Sequence, residues 1–182
     1  MVISWWKRWM PHDELPISFR PVRPQDFVLL RQWLEYPHVQ KWWSSPDEQI
    51  TRIGAHLDDP TVEPMMVEYG ETAFAYIQIC RLDGERVSEP ALQDQPDGTV
   101  GIDQFIGPPE LIGKGLGPRF MNIVCDRLFA EGVPRILVDP DPANNSAIRA
   151  YEKIGFKKLK KAMTKSGPAL FMNLDRQEYE KQ

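Results

Sequence analysis

ELIGKGLGPRFMNIV runs from Glu110 to Val124, with glycines at alternate positions 113, 115 and 117 and then apolar residues at helical spacing. Three side chains are given up just before a helix, so the segment is either a flexible connection or a place where something approaches the backbone closely. Glycine lets successive N–H groups converge on one concavity with no side chain in the way. A helix that starts at once adds free N–H donors and the positive end of its dipole. Together these suit a pyrophosphate. The stretch is not a Walker A loop, because no Lys-Ser/Thr follows the last glycine. Nor is it the dinucleotide fingerprint, because the third glycine comes too early and no acidic residue closes the next strand at the right place.

On either side of this stretch the chain alternates strands and helices. ISFRP (Ile17–Pro21) reads as a strand, and Asp26 as the N-cap of a helix with Phe27, Leu30, Trp33 and Leu34 on one face, ended by Pro37. SSPDEQI predicts a second helix with Ser45 at the cap, Pro46 at the first helical position and Glu48 completing a capping box. Its apolar stripe is Ile50, Ile53 and Leu57, and Pro60 stops it. Pro64–Tyr69 and Thr72–Leu82 read as a hairpin turning at Gly70-Glu71, Asp83–Gly98 as a polar surface loop, and Thr99–Gly107 as the strand before the glycines. The following helix extends to about Glu131 and is closed by Gly132 and Pro134. A short buried strand (Arg135–Pro140), a helix from Asn144 ending at Gly155 and a final hairpin complete a mixed α/β order.

Composition sets the outer limits. The chain has 182 residues, 42% hydrophobic and 26% charged, enough for one domain (17–182) with a proper core behind an aromatic N-terminal extension (1–16). A net charge of −4 gives no bulk electrostatic support for a nucleic-acid partner and mildly suits a cationic ligand. Cys80 and Cys125 lie in apolar runs with no metal or redox spacing and read as buried thiols of a reducing, cytoplasmic compartment. No run approaches the roughly 20 apolar residues of a spanning helix, so no membrane role is expected. His12, His38 and His56 have no mutual spacing for a metal, and no metal is expected.

The second motif is DPDPANNSAIRAYEKIGF (Asp139–Phe156). It resembles the closing motif of the GCN5-related N-acetyltransferases (GNAT), and GKGLG (Gly113–Gly117) resembles their acetyl-CoA pyrophosphate loop, in the same order and separation. The resemblance implies an α+β fold: a mixed, mostly antiparallel sheet of six to seven strands, flanked by about four helices and splayed at the acetyl-CoA site. It also implies that Gly113, Lys114, Gly115, Leu116, Gly117 and Asn144 bind the coenzyme. One departure is Ile112, where the glycine motif often begins with arginine or glutamine.

From about Ile17 to Gln182 the chain is similar to the aminoglycoside 6'-N-acetyltransferases. The residues that carry this are YPHVQKWW (Tyr36–Trp43), AYIQ (Ala75–Gln78), GIDQ (Gly101–Gln104), VDPDPANN (Val138–Asn145) and GPALFM (Gly167–Met172). The resemblance implies Asp103 as general base, Asp139 as a holder of the drug's ammonium groups, and Tyr151 facing the coenzyme sulfur. Trp43 and Tyr76 match aromatic positions that shape the substrate cleft. The expected partner is a small cationic amine, and the expected assembly a monomer or homodimer. The residue types suit the reaction: an ammonium must lose a proton before it can attack a thioester, and Tyr151 can protonate the departing thiolate. No cysteine occupies a candidate site, so direct attack in a ternary complex is expected. The loop Asp83–Val100 lacks the tryptophans usual in these enzymes. The motifs would also serve an enzyme acting on a siderophore lysine derivative, another amino sugar, a polyamine or a protein N-terminus. A non-catalytic acyl-CoA sensor would need neither Asp103 nor Tyr151.

Overall fold

Alternation of apolar and polar residues builds the sheet, and two sets of helices cover its faces. The computed structural model describes residues 16–43, 45–82, 90 and 92–181. The N-terminal extension expected at 1–16 falls almost wholly outside the described residues, as does much of the loop expected at 83–98.

Among the described residues the elements are β1 (Ile17–Pro21), α1 (Phe27–Leu34), α2 (Pro37–Gln40), α3 (Pro46–His56), β2 (Val62–Tyr69), β3 (Thr72–Arg81) and β4 (Val100–Ile106). They continue with α4 (Leu116–Ala130), β5 (Arg135–Val138), α5 (Asn145–Ile154), β6 (Lys157–Thr164), β7 (Gly167–Asp175) and α6 (Arg176–Tyr179). The seven strands form one sheet in the order β1-β2-β3-β4-β5-β7-β6, with β4–β5 the parallel pair and the other neighbours antiparallel.

That parallel pair positions the site. β4 and β5 share only the register pairs Val100↔Ile136 and Gly101↔Leu137, after which β4 runs on to Ile106 paired with β3 but open on its β5 side. The splay expected from the resemblance therefore begins at Ile102. It leaves strand backbone groups without a neighbouring strand at the centre of the molecule, where such groups call for another partner.

Successive side chains of a strand point to opposite faces. Ile77, Ile79 and Ile102 pack under Phe120, Val124 and Leu128 of α4 and Ile148, Tyr151 and Ile154 of α5. On the other face Met66, Tyr76 and Phe105 pack against Leu30, Trp33 and Leu34 of α1 and Ile53 of α3. Cys80 and Cys125 are buried free thiols, and no helix among the described residues is long and apolar enough to cross a membrane.

Two expected caps are corrected. Asp26 does not cap α1 with its side chain: it closes a 3-10 turn, takes two hydrogen bonds from the Arg20 guanidinium (2.7 and 2.9 Å) and accepts from Arg23 N (2.8 Å). Arg20 also reaches Glu68, so β1, β2 and the turn are tied at one guanidinium, a stronger claim on a carboxylate than a neutral N–H. Ser45 makes no side-chain cap for α3, which starts with Pro46 at its first position and Asp47 and Glu48 in the first turn. Pro37 lies beyond the end of α1 and opens the short α2, where a missing N–H costs nothing.

Candidate active site

Where β4 and β5 part, a cavity of about 540 Å³ opens, lined from both sides of the sheet. β4 contributes Ile102, Asp103 and Gln104, and the segment after β5 contributes Asp139, Pro140 and Asp141. Trp42 and Trp43 line it beside Glu48, Gln49 and Arg52 of α3, while Asn144, Ala147 and Tyr151 come from α5. The β6–β7 turn, Thr164 to Gly167, closes the remaining side.

Alternation along β4 sends its two polar residues opposite ways. Asp103 lies directly across from Gln78 of β3, whose Nε2 donates to Asp103 Oδ2 (2.7 Å). Among the described residues Asp103 Oδ1 has no hydrogen-bond partner, so it remains available to a proton in the cavity. Gln104 points to the α5 side and donates to the Tyr151 hydroxyl at 3.3 Å. Tyr151 is buried against Phe156. Burial first, then the negative charges of Asp103 and Asp139, hold its hydroxyl well above the ordinary tyrosine range, against the pull of Gln104. It is therefore a protonated donor throughout the neutral range.

Asp139 is exposed to the cavity, with protein packed around its carboxyl on the other sides. That enclosure, with the charge of Asp103, pushes its carboxyl up from the usual carboxylate range. Two carboxylates competing for negative charge favour a cationic occupant that would settle both. Asp141 instead accepts from Ala143 N (2.7 Å) and shapes the turn into α5, while Asn144 caps the helix by accepting from Ala147 N (3.1 Å).

The two aromatics expected to shape a cleft are placed differently. Trp43 lines the cavity and packs edge-on to Phe105 and Tyr76, with centroids 4.8 and 6.0 Å apart. Tyr76 is fully buried beneath it, outside the cavity lining, and its hydroxyl donates to Gln78 Oε1 (2.8 Å). Its place opposite Phe105 in the β3–β4 ladder accounts for this. His56, to which the sequence assigns no role, also reaches Gln78 Oε1, through Nδ1 at 3.1 Å.

The glycine turn lies at the start of α4, apart from the cavity lining. Gly113 and Gly115 have φ of +73° and +79°, left-handed values that favour glycine on backbone grounds alone. Gly117 has no such φ, and a Cβ built there would meet nothing within 4 Å. Nothing inside the chain requires glycine at 117, and the open space beside the first turn of α4 is a cradle that a side chain would fill. Leu116 is buried in the core and anchors the turn, whereas Lys114 is exposed. The residues present fit an anionic group held by backbone N–H donors at a helix N-terminus.

A splayed parallel pair with a glycine turn on one side and an acidic cavity on the other defines an acyl-coenzyme-dependent transferase architecture. Residues 23–164 match the acetyltransferase (GNAT) domain, and the chain belongs to that family. It is 29% identical over 178 residues to the aminoglycoside N(6')-acetyltransferase type 1 of Klebsiella pneumoniae, covering 91% of this chain and 86% of that protein. Among solved structures it is similar to AAC(6')-Ib in complex with paromomycin and acetyl-CoA, with TM-score 0.80, 28% identity, and coverage of 91% of this chain and 97% of that one. The complex of AAC(6')-Ib with coenzyme A and kanamycin superposes at TM-score 0.79 and 29% identity, covering 92% and 99%.

Proposed function

We propose that this chain transfers the acetyl group of acetyl-CoA to the 6'-amine of aminoglycoside antibiotics and so confers resistance. The observation that carries this is the meeting of Asp103, Asp139 and Tyr151 around one cavity at the β4–β5 splay. The 6'-ammonium binds between Asp103 and Asp139 and gives its proton to Asp103. The free amine attacks the thioester carbonyl, whose developing oxyanion is met by backbone N–H groups on the open edge of β4 beyond its pairing with β5. The thiolate leaves and takes the proton of Tyr151, the nitrogen's second proton passes through solvent to restore the tyrosine hydroxyl, and no acetyl-enzyme forms. Gly113, Lys114, Gly115, Leu116, Gly117 and Asn144 hold the coenzyme, and a drug ring lies against Trp43. Use of acetyl-CoA and two buried free thiols fit a cytoplasmic enzyme.

A second reading, another small amine as acceptor, is favoured by Arg52 and Lys165, two cations on the cavity lining that sit awkwardly with a polycationic drug. The deciding experiment is thiol release from acetyl-CoA with kanamycin, tobramycin, amikacin and gentamicin, and lysine derivatives alongside. Turnover with drugs bearing a free 6'-amine, reduced about 100-fold or more in Asp103→Asn, is expected for loss of a general base. Turnover confined to the lysine derivatives would move the acceptor to the second reading.

A further inference from the structure

Gln78 is 4% exposed, sits directly across the ladder from Asp103, and has both ends of its amide engaged. Its Nε2 donates to Asp103 Oδ2, and its Oε1 lies 2.8 Å from the Tyr76 hydroxyl and 3.1 Å from His56 Nδ1. Only one orientation of the amide is compatible with these neighbours. Flipping it would set the amide oxygen against a carboxylate oxygen, two acceptors with no proton between them. Because Oε1 can only accept, His56 carries its hydrogen on Nδ1, and the tautomer is fixed as well.

We propose that Gln78 and His56 are positioning residues for the acetyl transfer: they orient the Asp103 carboxylate by fixing its Oδ2, leaving Oδ1 for the incoming ammonium. The inference rests on the reading of Asp103 as the base. Elements on every side of that carboxylate carry charged or titratable groups. α3 brings Glu48, Arg52 and His56, β3 brings Tyr76, and α5 brings Tyr151. The segment after β5 adds Asp139 and Asp141, and the β6–β7 turn adds Lys165. Within that field the one hydrogen bond to Oδ2 decides which oxygen of Asp103 faces the cavity. His56, donating to Oε1, polarises the amide and strengthens the Nε2 donation.

Two measurements test this. One is the split between kcat and KM, with kanamycin as acceptor. The other is the resonance of the Gln78 side-chain amide protons in protein without substrate, which needs no turnover. In Gln78→Leu, kcat should fall at least about tenfold with less than about a threefold change in the KM for acetyl-CoA, as expected for a misplaced base. His56→Phe should lower kcat by less and shift the Gln78 amide resonance, and His56→Asn, whose amide can donate to Oε1, should restore both. Variants whose loss of rate only follows a loss of folded protein, or a His56→Asn no better than His56→Phe, would overturn the proposal and make the cluster merely structural. If Gln78→Leu does not fold, the half-buried His56 pair decides alone. Absence of turnover with any aminoglycoside in the unchanged chain would sink the acceptor assignment, while the Gln78 amide resonance in the His56 pair would still decide the positioning role.

Discussion

Tyr151 combines two jobs in one side chain. Its ring fills core beneath α5, with the Phe156 ring 5.6 Å away, and its hydroxyl ends at the cavity beside Gln104. Removing only the oxygen separates the two. Tyr151→Phe should leave the melting temperature nearly unchanged and reduce kcat about 100-fold, the lower end for loss of a general acid. Since burial keeps the hydroxyl protonated well beyond neutrality, the loss should be uniform across the neutral pH range rather than confined to one limb. A kcat within about threefold of the unchanged chain would show that the thiolate leaves without this proton. Tyr76, an aromatic of β3, shows how little residue type alone reveals. It ends in the core, because its ladder partner Phe105 and the overlying Trp43 close it off from the cavity.

At the scale of elements, the entrance to α4 allows fold and ligand demands to be told apart by two glycines. Gly115→Ala places a Cβ on a left-handed residue and should cost about 1 kcal/mol of stability. Gly117→Ala meets no atom of the chain and removes a helix glycine, so stability should hold or rise by up to about 1 kcal/mol. Its methyl group would nonetheless stand in the cradle, and the KM for acetyl-CoA should rise about tenfold or more; an unchanged KM would place the pyrophosphate elsewhere. Local signals made this entrance and the Gly155 end of α5 legible in the sequence, because a turn is specified by residues a few positions apart. Asp26 and Ser45 were misread for the complementary reason. Asp26 answers to Arg20 on β1, a partner that only the tertiary arrangement supplies, and Ser45 holds the N-cap position of α3 but makes no side-chain cap hydrogen bond. The glutamine opposite Asp103, and the β6–β7 turn across the cavity, depend on strand register and on the sheet order, and no local spacing encodes either.

Across the whole molecule, the acid that the drug is proposed to meet should weaken the fold that holds it. Asp26 and Asp175 each have an arginine partner, Arg20 and Arg135, and each is held below the usual carboxylate range first by that hydrogen bond. Their contributions are present above the unfolded carboxylate range and lost as pH falls through the folded values. Asp139 works with the opposite sign. Enclosure and the charge of Asp103 raise its carboxyl, so the stability it contributes is complete only below the unfolded value and is lost as pH rises through the folded one. At neutral pH the protein therefore carries a cost at Asp139 that an amide would not. Asp139→Asn should melt together with the unchanged chain near pH 4 and above it at pH 7.5, by roughly 1 kcal/mol, a modest figure because water in the open cavity screens the carboxylate. The same substitution should raise the KM for kanamycin at least about tenfold with little change in the KM for acetyl-CoA, since only the cation loses a partner. Saturating kanamycin should then stabilise the unchanged chain more than the variant, because binding a cation relieves the cost at Asp139 in the one and finds none to relieve in the other. Equal melting temperatures at both pH values would mean that Asp139 is fully solvated and that the cavity exerts no tension between its two acids.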